Sequence, residues 1–319
     1  MKKIALEEHF VTPELVEYGK STAAFVQPQT WAKIGERLLD ITEERLTKMD
    51  AAGLDVQVLS LNSPGIQAEP DARVATAKAA AVNDSLAKVI AKHPTRFSGF
   101  CALALQDPES AANELERAVT ELGLVGALVN AHTHGVYLDD PSMFVVWERA
   151  EALGVPLYLH PANGVDQSHV FSGHPELQGA MWSWGLDTAT HTLRIIFGGV
   201  FDRFPQASLI LGHMGEGLPF TLWRLDSRWG VQNHHGIELE LGNPSEYIRR
   251  NVYVTTSGVA SPAPLLGAVL ALGADRILFA TDYPFESIST ACEFIDGAPI
   301  SEADRSKIAF ANAETLLKL

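Results

Sequence analysis

Cysteine is scarce in this sequence: the 319 residues include only Cys101 and Cys292. Two cysteines cannot build a disulfide scaffold, and such low usage is typical of a reducing compartment, so we expect a cytoplasmic location. Near the amino terminus, Glu7 and Glu8 interrupt the apolar run that a secretory signal would need. The longest apolar run, residues 265–274, is too short to cross a bilayer.

Basic residues are also few, with 24 lysines and arginines against 39 aspartates and glutamates, which gives a net charge of −15. A field of that sign repels nucleic acid and anionic membranes, so we expect neither as a partner. The apolar content of 46% and the charged content of 20% are ordinary for a globular protein, which excludes disordered and fibrous classes.

Several functional motifs are missing. The sequence has no G-x-x-x-x-G-K, no G-x-S-x-G and no Cys-x-x-Cys, which weakens nucleotide-dependent, serine-hydrolase and thiol-redox interpretations. A doubly wound fold would normally have a glycine-rich turn after its first strand, but residues 9–13 read His-Phe-Val-Thr-Pro.

One alternation of short β-rich runs and helix-like stretches continues from end to end, without a linker or a shift in composition. The β-rich runs are eight in number: residues 4–8, 55–61, 97–103, 125–130, 155–160, 208–213, 252–257 and 276–282. Eight such units predict an α/β fold, a (β/α)8 TIM barrel, forming a single domain over residues 1–319. Residues 18–39 break the alternation and predict an insertion after the first strand, placed to cover the barrel mouth.

Metal-capable side chains close four of these runs: Glu7, His9, His160, His213 and Asp282. The carboxyl ends of barrel strands meet on one face, and residues two apart in a strand, such as Glu7 and His9, point the same way. Taken singly, each histidine could be a hydrogen-bonded structural group and Glu7 a solvated edge residue. Together, imidazole and carboxylate without thiolate favour a zinc, manganese or iron site with an open position.

The block at 212–219, Gly-His-Met-Gly-Glu-Gly-Leu-Pro, places glycines on both sides of His213. Glu216 could hydrogen-bond His213 and fix its tautomer, or be a first-turn glutamate favoured by the helix dipole. Arg224 follows in the same predicted helix, where it could bind a substrate carboxylate or form an ion pair with Asp226 or a neighbouring residue.

His132 and His134 form a His-x-His pair after the fourth run. No carboxylate stands at a fixed spacing from them, so a mobile loop is favoured over a pair of metal ligands.

Seven stretches carry a family resemblance: residues 5–10 (ALEEHF), 59–62 (LSLN), 126–130 (GALVN), 159–161 (LHP), 212–219 (GHMGEGLP), 255–258 (TTSG) and 275–286 (DRILFATDYPFE). Over essentially its whole length, the sequence resembles the amidohydrolase superfamily. The resemblance is to its branch of metal-dependent, non-oxidative hydroxybenzoate decarboxylases.

The resemblance implies site residues and a cofactor, and the residues divide into three sets: metal ligands Glu7, His9, His160 and Asp282; catalytic residues Asp282, His213 and Glu216; and substrate contacts Arg224, Phe25 and Phe285. It implies one divalent metal ion per chain, zinc or manganese, and no organic cofactor. The implied substrate is a small aromatic carboxylate, with 2,6-dihydroxybenzoate ranked first. We also expect a homo-oligomer, a dimer or a tetramer.

Two departures from the family pattern fall on the active-site face. Residues 160–164 read His-Pro-Ala-Asn-Gly where the family usually has His-Pro-Arg-Asn-Pro, and the loop after Asn130 looks shorter and carries His132 and His134. The resemblance therefore implies the metal ligands more directly than it implies the substrate. A metal-dependent hydrolase of a lactone or another small carboxylated compound is the alternative, and a non-catalytic binding protein is a second one.

Overall fold

Parallel β-strands form the centre of the molecule, in a computed structural model that describes residues 1–165 and 171–319. The strands are β1 (Ile4–Phe10), β2 (Val56–Leu61), β3 (Phe97–Gly99), β4 (Cys101–Ala102), β5 (Ala127–Asn130), β6 (Leu157–His160), β7 (Leu209–Leu211), β8 (Val252–Thr255) and β9 (Ile277–Leu278). They pair in parallel as β1-β2-β3 and as β4 through β9 in chain order.

The two sheets are parts of one barrel. β3 and β4 are a single strand interrupted at Phe100, whose amide donates to the carbonyl of Leu59. At the other junction, Leu6 bridges Ala280 in parallel and its amide donates to the carbonyl of Phe279 at 3.0 Å. The predicted (β/α)8 barrel is therefore confirmed, with β3 and β4 counting as its third strand.

Two apolar layers hold the barrel together. The inner layer takes residues from nearly every strand, including Leu6, Val58, Leu128, Ile210 and Leu278. The outer layer lies between the strands and the surrounding helices. Because both strand faces are buried, the strands read as continuous apolar runs in the sequence.

The helices surround the strands and have recognisable start signals. The α-helices are α1 (Lys20–Ala23), α2 (Pro28–Leu39), α3 (Glu43–Ala52), α4 (Ala72–Lys92), α5 (Pro108–Thr120), α6 (Phe144–Leu153), α7 (Ser183–Phe197), α8 (Val200–Arg203), α9 (Leu222–Trp229), α10 (Pro244–Asn251), α11 (Pro262–Leu272), α12 (Ile288–Gly297), α13 (Glu302–Ser306) and α14 (Asn312–Leu317). Asp71 caps α4 by accepting from two backbone amides, and Asp107 caps α5 by accepting from the Ser110 amide, with Pro108 as the first helical residue.

Short helical turns connect these elements. The 3₁₀ segments are Pro13–Gly19, Gly65–Ala68, Pro141–Met143, Pro175–Leu177, Gly179–Met181, His213–Gly215, Leu218–Phe220 and Ala274–Arg276, and Lys307–Ala311 is π-helical. Among the described residues, no helix combines the length and the apolar character that a membrane span requires.

The predicted insertion after β1 consists of a 3₁₀ turn followed by α1 and α2. Tyr18 anchors it, since its hydroxyl bonds the Glu69 carboxylate and accepts from the Lys78 ammonium. Lys78 also bonds Glu69 at 2.7 Å. This attachment holds the insertion beside the carboxyl ends of β1 and β2, and Thr22 of α1 lines the cavity there.

Candidate active site

A β-bulge in β1 sets the direction of its two metal-capable residues. Ala5 pairs with Gln57 but Glu8 pairs with Leu59, so β1 has one extra residue between these positions. Glu7 occupies it with a left-handed backbone, φ 64°. Leu6 belongs to the inner layer, and strict alternation would then turn Glu7 outward. The extra residue lets Leu6, Glu7 and His9 share the barrel interior.

The four predicted metal ligands, two from β1 and two from other parts of the barrel, come together with His213. Glu7 Oε1 lies 3.5 Å from His160 Nε2 and 3.3 Å from His213 Nε2. Asp282 Oδ1 lies 3.5 Å from His9 Nε2, and its Oδ2 lies 3.8 Å from His213 Nε2. Two overlapping sets, Glu7–His9–His160 and Glu7–His213–Asp282, each bring their ligand atoms within 4.8 Å of one another.

The donor atoms fit a divalent metal ion. Glu7 Oε1 and His9 Nε2 are buried and have no hydrogen-bond partner among the described residues, an arrangement that costs free energy unless a cation occupies it. Burial, together with neighbouring His9 and His213, holds the pKa of His160 well below its usual value, so its ring is neutral and able to ligate. The Ser60 hydroxyl bonds His9 Nδ1 at 3.2 Å, which leaves Nε2 for the metal.

A layer of hydroxyl groups supports Glu7. The Tyr158 hydroxyl donates to Glu7 Oε2 and lies 3.0 Å from Thr255 Oγ1, which in turn lies 2.9 Å from Ser257 Oγ. Burial and the Glu7 carboxylate raise the pKa of Tyr158 well above its usual value, so the phenol keeps its proton. One carboxylate oxygen is thus held by hydroxyl donors and the other faces the ligand cluster.

His213 and Glu216 form the hydrogen bond that the sequence predicts as one of two alternatives: Nδ1 and Oε1 are 2.7 Å apart. Burial lowers the pKa of His213, but the Glu7 and Glu216 carboxylates outweigh burial and raise it well above its usual value. Both residues have left-handed backbones, φ 51° and 53°, although neither is a glycine. Such strain is concentrated at functional sites, where the surrounding structure enforces it.

Asp282 also has a left-handed backbone, φ 65°. Burial alone would raise the pKa of Asp282, but the neighbouring His213 and His9 side chains outweigh burial and hold it below its usual range. The carboxylate is therefore ionised where it lines the cavity.

Four of these groups, His160, His213, Glu216 and Asp282, line a cavity of about 250 Å³. Its wall is made by Thr22, Asn62, Ser63, His160, Pro161, Ala180, Trp184, Gly185, His213, Glu216, Gly258, Val259, Asp282, Phe285 and Glu286. The Phe285 ring packs edge-on against His9, with ring centroids 5.8 Å apart. The cavity combines an apolar wall with a cluster of metal-capable groups, which suits a small, flat, polar ligand.

The three predicted substrate contacts lie at different distances from this cavity. Phe285 lines it, and Phe25 packs on Gly179, next to the lining residue Ala180. Arg224 lies on the exposed side of α9 and is not among the lining residues. The alternative ion pair with Asp226 is absent, because Asp226 accepts instead from the amide and hydroxyl of Ser245.

His132 and His134 are both bound to backbone carbonyls. His132 Nε2 lies 3.1 Å from the Asn163 carbonyl, and His134 Nε2 lies 3.0 Å from the Gln67 carbonyl. The Asn163 side chain accepts from the indole of the cavity residue Trp184 at 2.8 Å. The pair therefore contributes to the structure of the loops around the cavity, and neither residue is in the metal-capable sets of the described chain.

Sequence reasoning missed the hydroxyl layer and Asn62. Tyr158 had a usable signal, because it stands two residues before His160 in the same strand and must face the same way. Asn62 directly follows β2, the position at which barrel enzymes present functional side chains.

Comparison with known proteins agrees with this geometry. Residues 9–319 match the family model for amidohydrolases. The chain belongs to the amidohydrolase family.

Members of this family with named activities are similar over the full length. Gamma-resorcylate decarboxylase from Polaromonas sp. (strain JS666 / ATCC BAA-500) is 45% identical over 99% of this chain and 98% of its own. A crystal structure of 2,6-dihydroxybenzoate decarboxylase complexed with 2,6-dihydroxybenzoate superimposes with a TM-score of 0.95 at 44% identity, covering 100% of both chains. Dihydroxybenzoic acid decarboxylase from Polaromonas sp. JS666, with bound manganese and the inhibitor 2-nitroresorcinol, gives a TM-score of 0.94 at 45% identity, covering 100% of this chain and 97% of that one. The resemblance to amidohydrolases is thus confirmed.

Proposed function

We propose that this amidohydrolase is a metal-dependent, non-oxidative decarboxylase of an ortho-hydroxybenzoate. The favoured reaction converts 2,6-dihydroxybenzoate to resorcinol and carbon dioxide, and it is reversible at high bicarbonate. The observation that carries the proposal is the ligand cluster, in which Glu7 Oε1 and His9 Nε2 are buried without partners beside a cavity walled by Phe285. Relatives 44–45% identical that are named for this activity support it.

The metal ligands in this proposal are Glu7, His9, His160 and Asp282, and the ion is zinc or manganese. When bound, the ion acts as a Lewis acid that stabilises negative charge on substrate oxygens. The donor set of imidazoles and carboxylates suits either ion, and a bound manganese in a relative favours that metal. No organic cofactor is required, because the ortho hydroxyl of the substrate stabilises charge during ring protonation.

Asp282 is the proposed proton donor to the ring. Since its carboxylate is ionised in the free site, it first takes a proton from the ortho hydroxyl of the substrate. It then gives that proton to the ring carbon that bears the carboxyl group, and a ring electron pair forms the new C–H bond. The bond to the carboxyl carbon breaks, carbon dioxide leaves, and the released electron pair restores the aromatic ring. The oxygen that lost its proton to Asp282 then takes one from solvent, which gives resorcinol.

His213 and Glu216 act as an orienting pair in this scheme. Glu216 accepts from His213 Nδ1 and directs Nε2 toward Asp282 Oδ2 at 3.8 Å. A cationic His213 keeps the Asp282 carboxylate ionised until substrate arrives. Phe285 packs against the substrate ring, and Phe25 and Arg224 remain proposed substrate contacts. Replacing Arg224 by alanine would raise KM if it contacts the substrate.

We also propose that the chain forms a homo-oligomer, a dimer or a tetramer, in the cytoplasm. The homo-oligomer is supported by an exposed apolar face that contains Phe220, Trp223 and Leu270, which are 62%, 78% and 88% exposed. The cytoplasmic location is supported by Cys101 and Cys292, which are both free and buried.

The test begins with metal analysis of the purified protein, for which we expect about one divalent ion per chain. Released carbon dioxide and the ultraviolet spectrum are then followed with 2,6-dihydroxybenzoate, 2,3-dihydroxybenzoate, salicylate and 4-hydroxybenzoate. Because 4-hydroxybenzoate lacks the ortho hydroxyl, we expect no turnover of it. Comparable turnover of that compound, or a water-dependent product from a lactone without carbon dioxide release, would refute the proposal.

A further inference from the structure

Asn62 is a buried amide at the mouth of β2. Its backbone amide donates to the carbonyl of Phe10 at 2.9 Å, which extends the pairing of β1 and β2 by one residue. Asn62 is only 5% exposed and lines the cavity. On the neighbouring strand the ligand His9 pairs with Ser60, two residues before Asn62. Asn62 therefore stands beside the ligand cluster, one step further toward the mouth.

The two ends of this amide have different surroundings. Asn62 Nδ2 donates to the carbonyl oxygen of Ser63 at 2.8 Å, and the Thr22 hydroxyl donates to the same oxygen at 3.5 Å. A flipped amide would place its oxygen against that carbonyl, so the hydrogen bond fixes the orientation. Asn62 Oδ1 is buried and has no partner among the described residues. An unpaired buried acceptor is costly, and it is satisfied when a ligand supplies a donor.

We propose that Asn62 Oδ1 accepts a hydrogen bond from a second ring hydroxyl of the substrate, and that this bond selects dihydroxybenzoates over monohydroxybenzoates. The inference rests on the proposed function and adds a specificity determinant to it. One N–H of the Asn62 amide is held by the Ser63 carbonyl, so the unpaired group that this lining residue offers to a ligand is the acceptor Oδ1. It therefore favours a hydroxyl and disfavours a hydrogen atom, a methoxy group or a second carboxylate at that ring position.

Other oxygen acceptors in the cavity are less suited to this role. Glu216 is bonded to His213, and the Ser63 hydroxyl donates to the carbonyl of Pro161 at 3.1 Å. Glu286 is exposed, so solvent satisfies its carboxylate when no substrate is bound. Asn62 differs from them because its acceptor is both buried and unpaired.

The experiment compares two substrates in two proteins. The wild type and Asn62→Leu are assayed with 2,6-dihydroxybenzoate and with salicylate, which lacks the second hydroxyl. We expect the substitution to lower kcat/KM for 2,6-dihydroxybenzoate on the order of 10-fold to 100-fold and to change kcat/KM for salicylate by less than about 3-fold. Thr22→Val perturbs the same wall of the cavity but leaves the Asn62 acceptor in place. The ratio of kcat/KM for 2,6-dihydroxybenzoate to kcat/KM for salicylate should therefore stay at its wild-type value. Equal losses on both substrates, or no loss on either, would overturn the inference.

A binding measurement separates this inference from the proposed function. Calorimetric titration of the metal-loaded protein with resorcinol and with phenol reports the second hydroxyl without any turnover. We expect the wild type to prefer resorcinol and Asn62→Leu to lose that preference. If the wild type decarboxylates neither acid, the proposed function fails, but the binding preference still decides the role of Asn62. Asn62→Ala is measured in parallel in case the leucine variant does not fold, and a resorcinol preference that is absent in the wild type or unchanged in the folded variant contradicts the inference.

Discussion

At the residue scale, the Tyr158 hydroxyl determines which oxygen of Glu7 is available as a ligand. It occupies Oε2, so that Oε1 faces His160 and His213. We expect Tyr158→Phe to weaken the affinity for Mn²⁺ by about 10-fold to 100-fold, the usual effect of removing a group that orients a metal ligand. Titration of the metal-free protein with Mn²⁺ measures this change directly.

Tyr253→Phe is the matched control for that variant. Tyr253 lies on β8 and its hydroxyl makes no hydrogen bond within residues 1–165 and 171–319, so its loss should leave the affinity unchanged. Equal affinities for the wild type and Tyr158→Phe would show that Glu7 is oriented by the other hydroxyls, Thr255 and Ser257, without Tyr158.

A second prediction concerns a buried histidine outside the cavity. His191 Nε2 accepts from the Leu138 amide at 2.8 Å, and burial, then Arg194 and His132, lower the pKa of His191 to about 3. Between pH 6.5 and 3 the unfolded state binds a proton that the folded state does not. Stability therefore falls as the pH drops through this range, by up to about 1.4 kcal/mol per pH unit from this group.

The variant that tests it is His191→Gln, whose side-chain oxygen can still accept from Leu138. Urea unfolding at pH 7 and pH 4.5 should give a smaller loss of stability on acidification than in the wild type. His174→Gln, at an exposed site, should keep the wild-type pH dependence. If His191→Gln keeps it too, His191 is not the group that titrates.

The sequence identifies most of the site at this scale because barrel enzymes place functional groups at strand ends. Glu7, His9, His160 and Asp282 are found by that rule, and the structure brings their side chains together. Their roles, and those of His213 and Glu216, stay predictions. The rule does not extend to Arg224, because the position of a side chain on a helix after the strand depends on a turn that the sequence does not define.

At the element scale, the eight β-rich runs are all found, but several strands are shorter than their runs. Residues 276–282 form only a two-residue strand, β9, because on the β8 side Thr256 Oγ1 bonds both the amide and the carbonyl of Ala280 in place of backbone groups. The bulge at Glu7 was not predictable either. A non-glycine residue with positive φ is held by tertiary contacts, which leave no local signal.

The residue after β7, Gly212, lies so close to the Glu7 carboxylate that a side chain there would displace it. A Cβ on Gly212 would lie 2.7 Å from Glu7 Oε2 and 3.1 Å from Ser257 Oγ. We expect Gly212→Ala to displace the Glu7 carboxylate and to weaken Mn²⁺ binding by at least about 10-fold. The same metal titration measures the effect. Gly35→Ala in α2, where a Cβ meets nothing within 4 Å, is the control and should bind Mn²⁺ normally.

At the scale of the whole molecule, barrel closure depends on side chains as well as on strand pairing. The buried Glu8 carboxylate accepts from the amide and hydroxyl of Thr281 and from Gln57 at 2.6 Å. Arg45 bonds the carbonyl of His9 and Gln57. This network joins β1 and β2 to the segment that carries Asp282. The number of β-rich runs predicts a closed barrel, but the partners of Glu8 come from residues far apart in sequence. That residues 1–319 form one domain stays a prediction.

The apolar face defined by Phe220, Trp223 and Leu270 gives the last prediction. The Phe220 ring lies over Gly267 of α11, so two helical segments contribute to one surface. A large exposed aromatic side chain is typical of an interface centre, so Trp223→Glu should raise the dissociation constant of the proposed oligomer by about 30-fold or more. Analytical ultracentrifugation over a concentration series measures this, with Val74→Glu on α4 as a control that should associate normally.

Because each copy carries a net charge of −15, added salt should strengthen association by screening repulsion between copies. A wild type that remains monomeric at high concentration and high salt would leave this apolar face without a self-association role.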